Sequence, residues 1–202
     1  MYTFIKKMRT AHIGKIIKIS AVALLLATIS VSCGNMAEDP NAAYFAKLEN
    51  DVLEEINFAR TQPAQYAKTR LEPYAVKNPS TAITECINEM KAMQPLPPLK
   101  FGKGLALAAK EWVNAQGAGG GVGHGNLGER LHKHGLHPHT PGENISYGYN
   151  DARMIVIKLL EDEKEPKRGH RKNILSRAYT HVGIGCGPHK IYRIMCVQDF
   201  AG

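Results

Sequence analysis

Three short segments of this chain hold residue types suited to chemistry: Gly123-His124-Gly125-Asn126, Gly142-Glu143-Asn144-Ile145-Ser146-Tyr147-Gly148 and Arg168-Gly169-His170-Arg171-Lys172-Asn173-Ile174-Leu175. In two of them a histidine stands beside glycine, where the backbone is unobstructed and an imidazole is free to face a cleft. Two neutral imidazoles with carboxylates are competent ligands for a divalent transition metal such as zinc. The carboxylates have a second use: each can accept the other ring N–H of a histidine and fix its tautomer. With no metal bound, they stabilise imidazolium. Metal affinity is therefore expected to fall below about pH 6.5, the unperturbed histidine value. A single loop histidine is usually structural or solvated, so the weight rests on the combination. A further group, His132, His134, His137 and His139, lies between the first two segments. Such tracts collect metal in some proteins, but Arg130 and Lys133 oppose it here, and the tract reads as the rim of the cleft.

Hydrolysis has two conceivable routes through these residues. A metal-bound water could be activated by Glu143 as base, or Ser146, near Glu143, could act as nucleophile. Neither a Gly-x-Ser-x-Gly elbow nor a His-Glu-x-x-His motif is present. Beyond residue 33 the serines are Ser80, Ser146 and Ser176 alone. The residues thus favour a binding module. A metal-assisted hydrolase is the alternative, and a surface interaction protein with a vestigial cleft is the third reading.

The elements that must position these segments are legible in part. Residues 47–60 place Leu48, Val52, Ile56 and Ala59 on one helical stripe. Thr61 and Pro63 close that helix and suit the start of another. A second stripe, Ile83, Ile87, Met90 and Met93, ends before prolines 95, 97 and 98, which forbid continued helix. Residues 104–116 carry a third stripe of Leu105, Ala108, Trp112 and Ala115, stopped by glycines 117–123. A fourth helix, capped by Asn150 or Asp151, includes Met154–Glu161. Residues 181–187 and 191–200 read as a hairpin turning through 187–190. Glycines 183, 185 and 187 share one strand face, so another element must pack closely there. Helices around short strands argue for a mixed α/β sandwich.

The N-terminus reads as a targeting label. Lys6, Lys7, Arg9, Lys15 and Lys18 precede an apolar run from Ile19 to Val31, which suits a signal-peptide core better than a membrane span. Small residues lead into Cys33, the expected site of lipidation, although Ser30 stands where leucine is commoner. We therefore expect a signal peptide over 1–32, a lipidated N-terminus and tether over 33–46, and one domain over 47–202. The protein would be exported, as a cell-envelope lipoprotein or in secreted form. The label holds five of the 26 basic residues and no acid, leaving 21 basic against 18 acidic residues. That near balance gives no case for nucleic-acid binding. Three further cysteines remain, and Cys186 and Cys196, flanking a Gly-Pro turn, are the expected disulfide in an oxidising compartment.

In combination, Gly-Glu-Asn-Ile at 142–145 and Gly-His-Arg-Lys-Asn-Ile-Leu at 169–175 resemble the CAP superfamily. This group, also called SCP-like, covers cysteine-rich secretory, antigen 5 and plant pathogenesis-related class 1 proteins. The similarity extends to Val52–Arg60, to Pro98–Ala109 with Phe101 in place of the usual Trp, to Val182–Gly185 and to Met195–Phe200. Pro166-Lys167-Arg168 looks like a loop of a bacterial lipoprotein branch. The resemblance implies an α+β fold, a three-layer α-β-α sandwich with a central antiparallel sheet. It also implies a cleft of two histidines and two acids. His124, His170 and Glu143 match three of these. Asp162 is the best match to the fourth, with Glu161 and Glu163 competing for it. A monomer is expected, with lipid, sterol or peptide as conceivable ligands.

Overall fold

A computed structural model describes residues 40–202. The expected signal peptide and Cys33 lie outside the described residues. Helix α1 runs from Pro40 to Thr61, starting inside the stretch expected as tether, with proline in the first turn where its missing N–H costs nothing. Its stripe of Leu48, Val52, Ile56 and Ala59 is buried, as the periodicity requires. Thr61 does not cap the next helix. Its hydroxyl donates back to the Asn57 carbonyl at 2.7 Å, and α2 (Pro63–Tyr66) begins without a side-chain cap. A π-turn over Ala67–Leu71 and α3 (Glu72–Lys77) continue the path. Ser80 caps α4 (Thr81–Ala92) by accepting from the Ile83 N–H.

The remaining elements are β1 (Lys100–Phe101), α5 (Lys103–Gly117), α6 (Leu127–Lys133), β2 (Pro141–Tyr147), α7 (Ala152–Glu161), α8 (Gly169–Ile174), β3 (His181–His189) and β4 (Arg193–Ala201). Asp151 caps α7. The hairpin turns at 190–192, slightly later than expected. Strand order is β1-β3-β4-β2. The three long strands are antiparallel, but β1 adds to β3 in parallel, so the sheet is mixed at that edge.

Period-two alternation assigns the two faces of the sheet. One face carries Val182, Ile184, Cys186, Cys196 and Phe200, packed with α1, α4 and α7 in the main core. The other carries glycines 183, 185 and 187, and α5 lies directly on them. A Cβ on Gly183 would stand 2.0 Å from the Ala106 nitrogen. This contact rotates the buried stripe of α5 to Leu105, Ala108, Ala109, Val113 and Gln116, leaving Ala115 exposed. The result is an α-β-α sandwich, with α5 and α6 on one side and α1, α4, α7 and α8 on the other. Cys186 and Cys196 stand directly opposite on β3 and β4 and form the disulfide, with Cα atoms 4.1 Å apart. Cys86 is buried and free, and burial pushes its thiol up to about 12. Among the described residues no helix is long and apolar enough to cross a membrane.

Candidate functional site

The Gly-Glu-Asn-Ile segment, which sequence patterning did not mark as a strand, is β2, the edge of the sheet. Its alternation sends Glu143, Ile145 and Tyr147 toward α5 and α6. Gly142, Asn144 and Ser146 face α7 and α8. The cleft forms where the two outer layers meet around this edge, with one histidine arriving from each.

His124 comes from the α5 side, in the loop between α5 and α6. That loop is pinned by Trp112 Nε1 and Gln116 Nε2, which donate to the Gly123 carbonyl at 2.9 and 2.8 Å. The Tyr147 hydroxyl accepts from the Gly123 N–H. Gly125 has φ +58, and a Cβ there would meet the Trp112 ring at 2.4 Å, so glycine is required on both counts. His124 Nδ1 bonds Glu143 Oε1 at 2.7 Å. The other Glu143 oxygen takes the Arg130 guanidinium, which also donates to the His124 carbonyl at 2.8 Å and stacks 4.7 Å over Trp112. Glu143 and Arg130 side chains are 3% and 6% exposed, against 53% for His124. The Glu143 hydrogen bond raises the pKa of His124 above its ordinary value, with desolvation opposing it.

His170 comes from the other layer, in the first turn of α8. Asp162 ends α7 in a left-handed conformation, φ 49, which turns its carboxylate back onto α8. One oxygen bonds His170 Nδ1 at 2.7 Å and the other accepts the His170 backbone N–H at 2.8 Å. Buried Arg171 locks α7 to α8, donating to the Leu160, Glu161 and Ala82 carbonyls. Of the competing acids, Glu161 is taken by Lys158, Tyr74 and Ser80. Glu163 is exposed and makes no side-chain bond to His170.

The two imidazole rings lie 6.4 Å apart, centroid to centroid. His124, Glu143, Asp162 and His170 are thus brought together as two histidine–carboxylate pairs, not as four ligands. Each carboxylate is spent on an Nδ1, and among the described residues no three His, Cys, Asp or Glu side chains are placed to hold one metal ion. That leaves Nε2 of each ring without a carboxylate partner.

Two other expectations change. Ser146 is not beside Glu143, because strand residues three apart point to opposite faces. It shares a groove with His170 and Asp162 instead, and its hydroxyl is buried without a partner. Arg130, expected to oppose cation binding, is the counter-ion that holds Glu143, a role that depends on a contact between α6 and β2. In the histidine tract, His134 Nε2 is bonded to Glu111 at 2.9 Å, while His132 and His137 pair ring to ring at 4.5 Å.

Asp199 escaped the sequence reading altogether. It faces Glu143 across the β2–β4 ladder, is fully buried, and lies 4.0 Å from Arg130. Burial and the Glu143 carboxylate push it up to about 8, partly offset by Arg130. Nothing in the run Cys196-Val197-Gln198-Asp199-Phe200 signals this; only the register does.

A three-layer sandwich with one histidine–carboxylate pair delivered by each helical layer to a sheet edge defines the class. The chain belongs to the CAP, or cysteine-rich secretory protein, family, whose model matches residues 84–200. It is 28% identical over 141 residues to the uncharacterized protein YkwD of Bacillus subtilis, covering 64% of this chain and 51% of that one. It is 39% identical over 62 residues to the uncharacterized membrane protein YlbC of the same organism, covering 31% of this chain and 16% of that one. The chain thus spans about half of the first of these curated relatives and 16% of the second. Among solved structures, an extracellular SCP-domain protein of Bacillus anthracis aligns at 25% identity and TM-score 0.45, covering 60% of this chain and 37% of that one. A cysteine-rich secretory protein of Staphylococcus aureus aligns at 16% identity and TM-score 0.46, covering 81% of this chain and 40% of that one.

Proposed function

We propose that this is an exported, lipid-anchored CAP-domain protein whose cleft binds one divalent cation, zinc by preference, through His124 and His170. The observation that supports the reading is the state of the two imidazoles. Each has Nδ1 engaged by a carboxylate, which presents Nε2 as the metal-binding atom and raises its basicity, as in carboxylate–histidine–zinc arrangements. Two imidazoles suit zinc, with the remaining positions left to water or a bound ligand. Glu143 and Asp162 would act by orienting the rings, and Arg130 keeps Glu143 from competing as a ligand. Bound zinc would supply Lewis acidity at an open coordination position.

Calorimetric titration of the purified protein with zinc tests this directly. About one ion per chain is expected, and His124→Ala/His170→Ala should abolish the binding. Identical isotherms for wild type and double variant would refute it.

A further inference from the structure

We infer that the groove along the outer edge of β2 binds an extended peptide segment, backbone to backbone, as a fifth strand of the sheet. Three observations carry this.

The first is parity. In an antiparallel ladder, opposed residues alternate between pairs that exchange backbone hydrogen bonds and pairs that do not. The Gly148 N–H donates to the Ile194 carbonyl at 2.9 Å. With Tyr147 opposite Met195 in the register, the bonded residues of β2 are 142, 144, 146 and 148. The backbone groups of Glu143, Ile145 and Tyr147 therefore point away from β4, off the edge of the sheet. The Glu143 carbonyl confirms the phase independently, because it accepts from Asn173 Nδ2 at 3.2 Å on that outer side.

The second is the shape of the edge. Ile145, Ser146 and Tyr147 all line one groove of about 320 Å³, with His170, Tyr149 and Tyr192 among its other walls. Side chains of consecutive strand residues point to opposite faces, so three in a row lining one groove means that it runs along the strand's edge. Asn173 covers only the Glu143 carbonyl. Among the described residues the N–H and C=O of Ile145 and Tyr147 have no partner, and an edge strand with unpaired backbone groups is a ready template for pairing with another chain.

The third is Ser146, 6% exposed, whose hydroxyl has no partner among the described residues. A buried hydroxyl without a partner carries a desolvation cost. A ligand carbonyl or N–H alongside β2 would satisfy it. Repeating N–H and C=O groups at strand spacing are what a peptide offers and what a lipid chain lacks, which commits the site to strand addition.

An array of random octapeptides, probed with the full chain in detergent micelles and EDTA, supplies the ligand. The strongest binder is then resynthesised with single N-methylated amides. Binding should fall at least tenfold for methylation at alternate residues and hold at those between. On the protein, amide exchange at Ile145 and Tyr147 should slow at least tenfold on saturation, with Asn144 and Ser146 unchanged. Ser146→Ala should weaken binding several-fold. The inference is overturned if no octapeptide binds, if methylation sensitivity lacks the two-residue period, or if exchange at Ile145 and Tyr147 does not change. It is equally overturned if chitotetraose or phosphatidylglycerol vesicles, and not peptides, protect those amides. EDTA keeps the outcome independent of whether the histidines take zinc.

Discussion

At the scale of single residues, the site is a set of charges balanced by burial. Glu143, Arg130 and Asp199 share one desolvated pocket beneath His124. Two carboxylates against one guanidinium would leave excess negative charge there, so Asp199 keeps its proton, up to about pH 8. The native chain then holds a proton that the unfolded chain has lost above about pH 4, the ordinary carboxyl value. The contribution of Asp199 to stability therefore falls as pH rises from about 4 to about 8 and levels off beyond. Asp199→Asn removes the titrating group, so urea unfolding of this variant should show a smaller loss between pH 5 and pH 8 than wild type. His124 works in the opposite sense. Its pKa is raised in the fold, so its contribution to stability is full below about pH 6.5 and disappears as pH rises through the native value. If the cleft takes the proposed metal, the same shift would move proton competition with it to a higher pH than an unperturbed histidine gives. Histidine C–H resonances followed by NMR against pH should place His124 above about 6.5 in wild type, and Glu143→Gln should bring it down.

At the scale of elements, the packing of α5 on the glycine face of β3 holds the His124 loop in place. Gly183→Ala would drive a methyl into the backbone of α5, and overpacking of this kind costs about 3 kcal/mol. Chemical denaturation should read that loss, and the zinc isotherm should weaken with it if α5 shifts. The helices whose faces differ in polarity were legible from periodicity: α1, α4, α5 and α7 all appear where the apolar stripes put them. The strand β2 was not. Its residues 142–146 are buried on both faces, so no polar alternation marks it, and a buried Glu, Asn and Ser read as loop. The short helices α6 and α8 escaped for a related reason. Each is held largely by tertiary contacts, among them those of Arg130 for α6 and of Arg171 and His170 for α8, and such contacts leave no trace in local pattern.

At the scale of the whole molecule, one covalent bridge lies within the domain and a covalent anchor is proposed outside the described residues. The Cys186–Cys196 bridge closes a loop with a sequence separation of 10. Its loss through Cys186→Ala/Cys196→Ala should cost about 2–3 kcal/mol in urea unfolding, by loop-closure entropy. Cys33 lies outside the described residues, and its role rests on the sequence preceding it. If it carries the lipid, Cys33→Ser should move the protein from the membrane fraction to the soluble one, whereas retention would place the anchor elsewhere.

The sequence by itself determined the family, the amphipathic helices and the β3–β4 hairpin, because these depend on residue identity and near-neighbour spacing. It also singled out Asp162 ahead of Glu161 and Glu163. Only the tertiary structure decided what the carboxylates do, turning Glu143 and Asp162 onto Nδ1 atoms and bringing Asp199 and Arg130 beneath them. The reason is physical: a ligand and a ring-orienting partner have the same composition and differ only in the direction of a lone pair. That direction is set by strand register, a left-handed helix end and contacts between layers far apart in the chain.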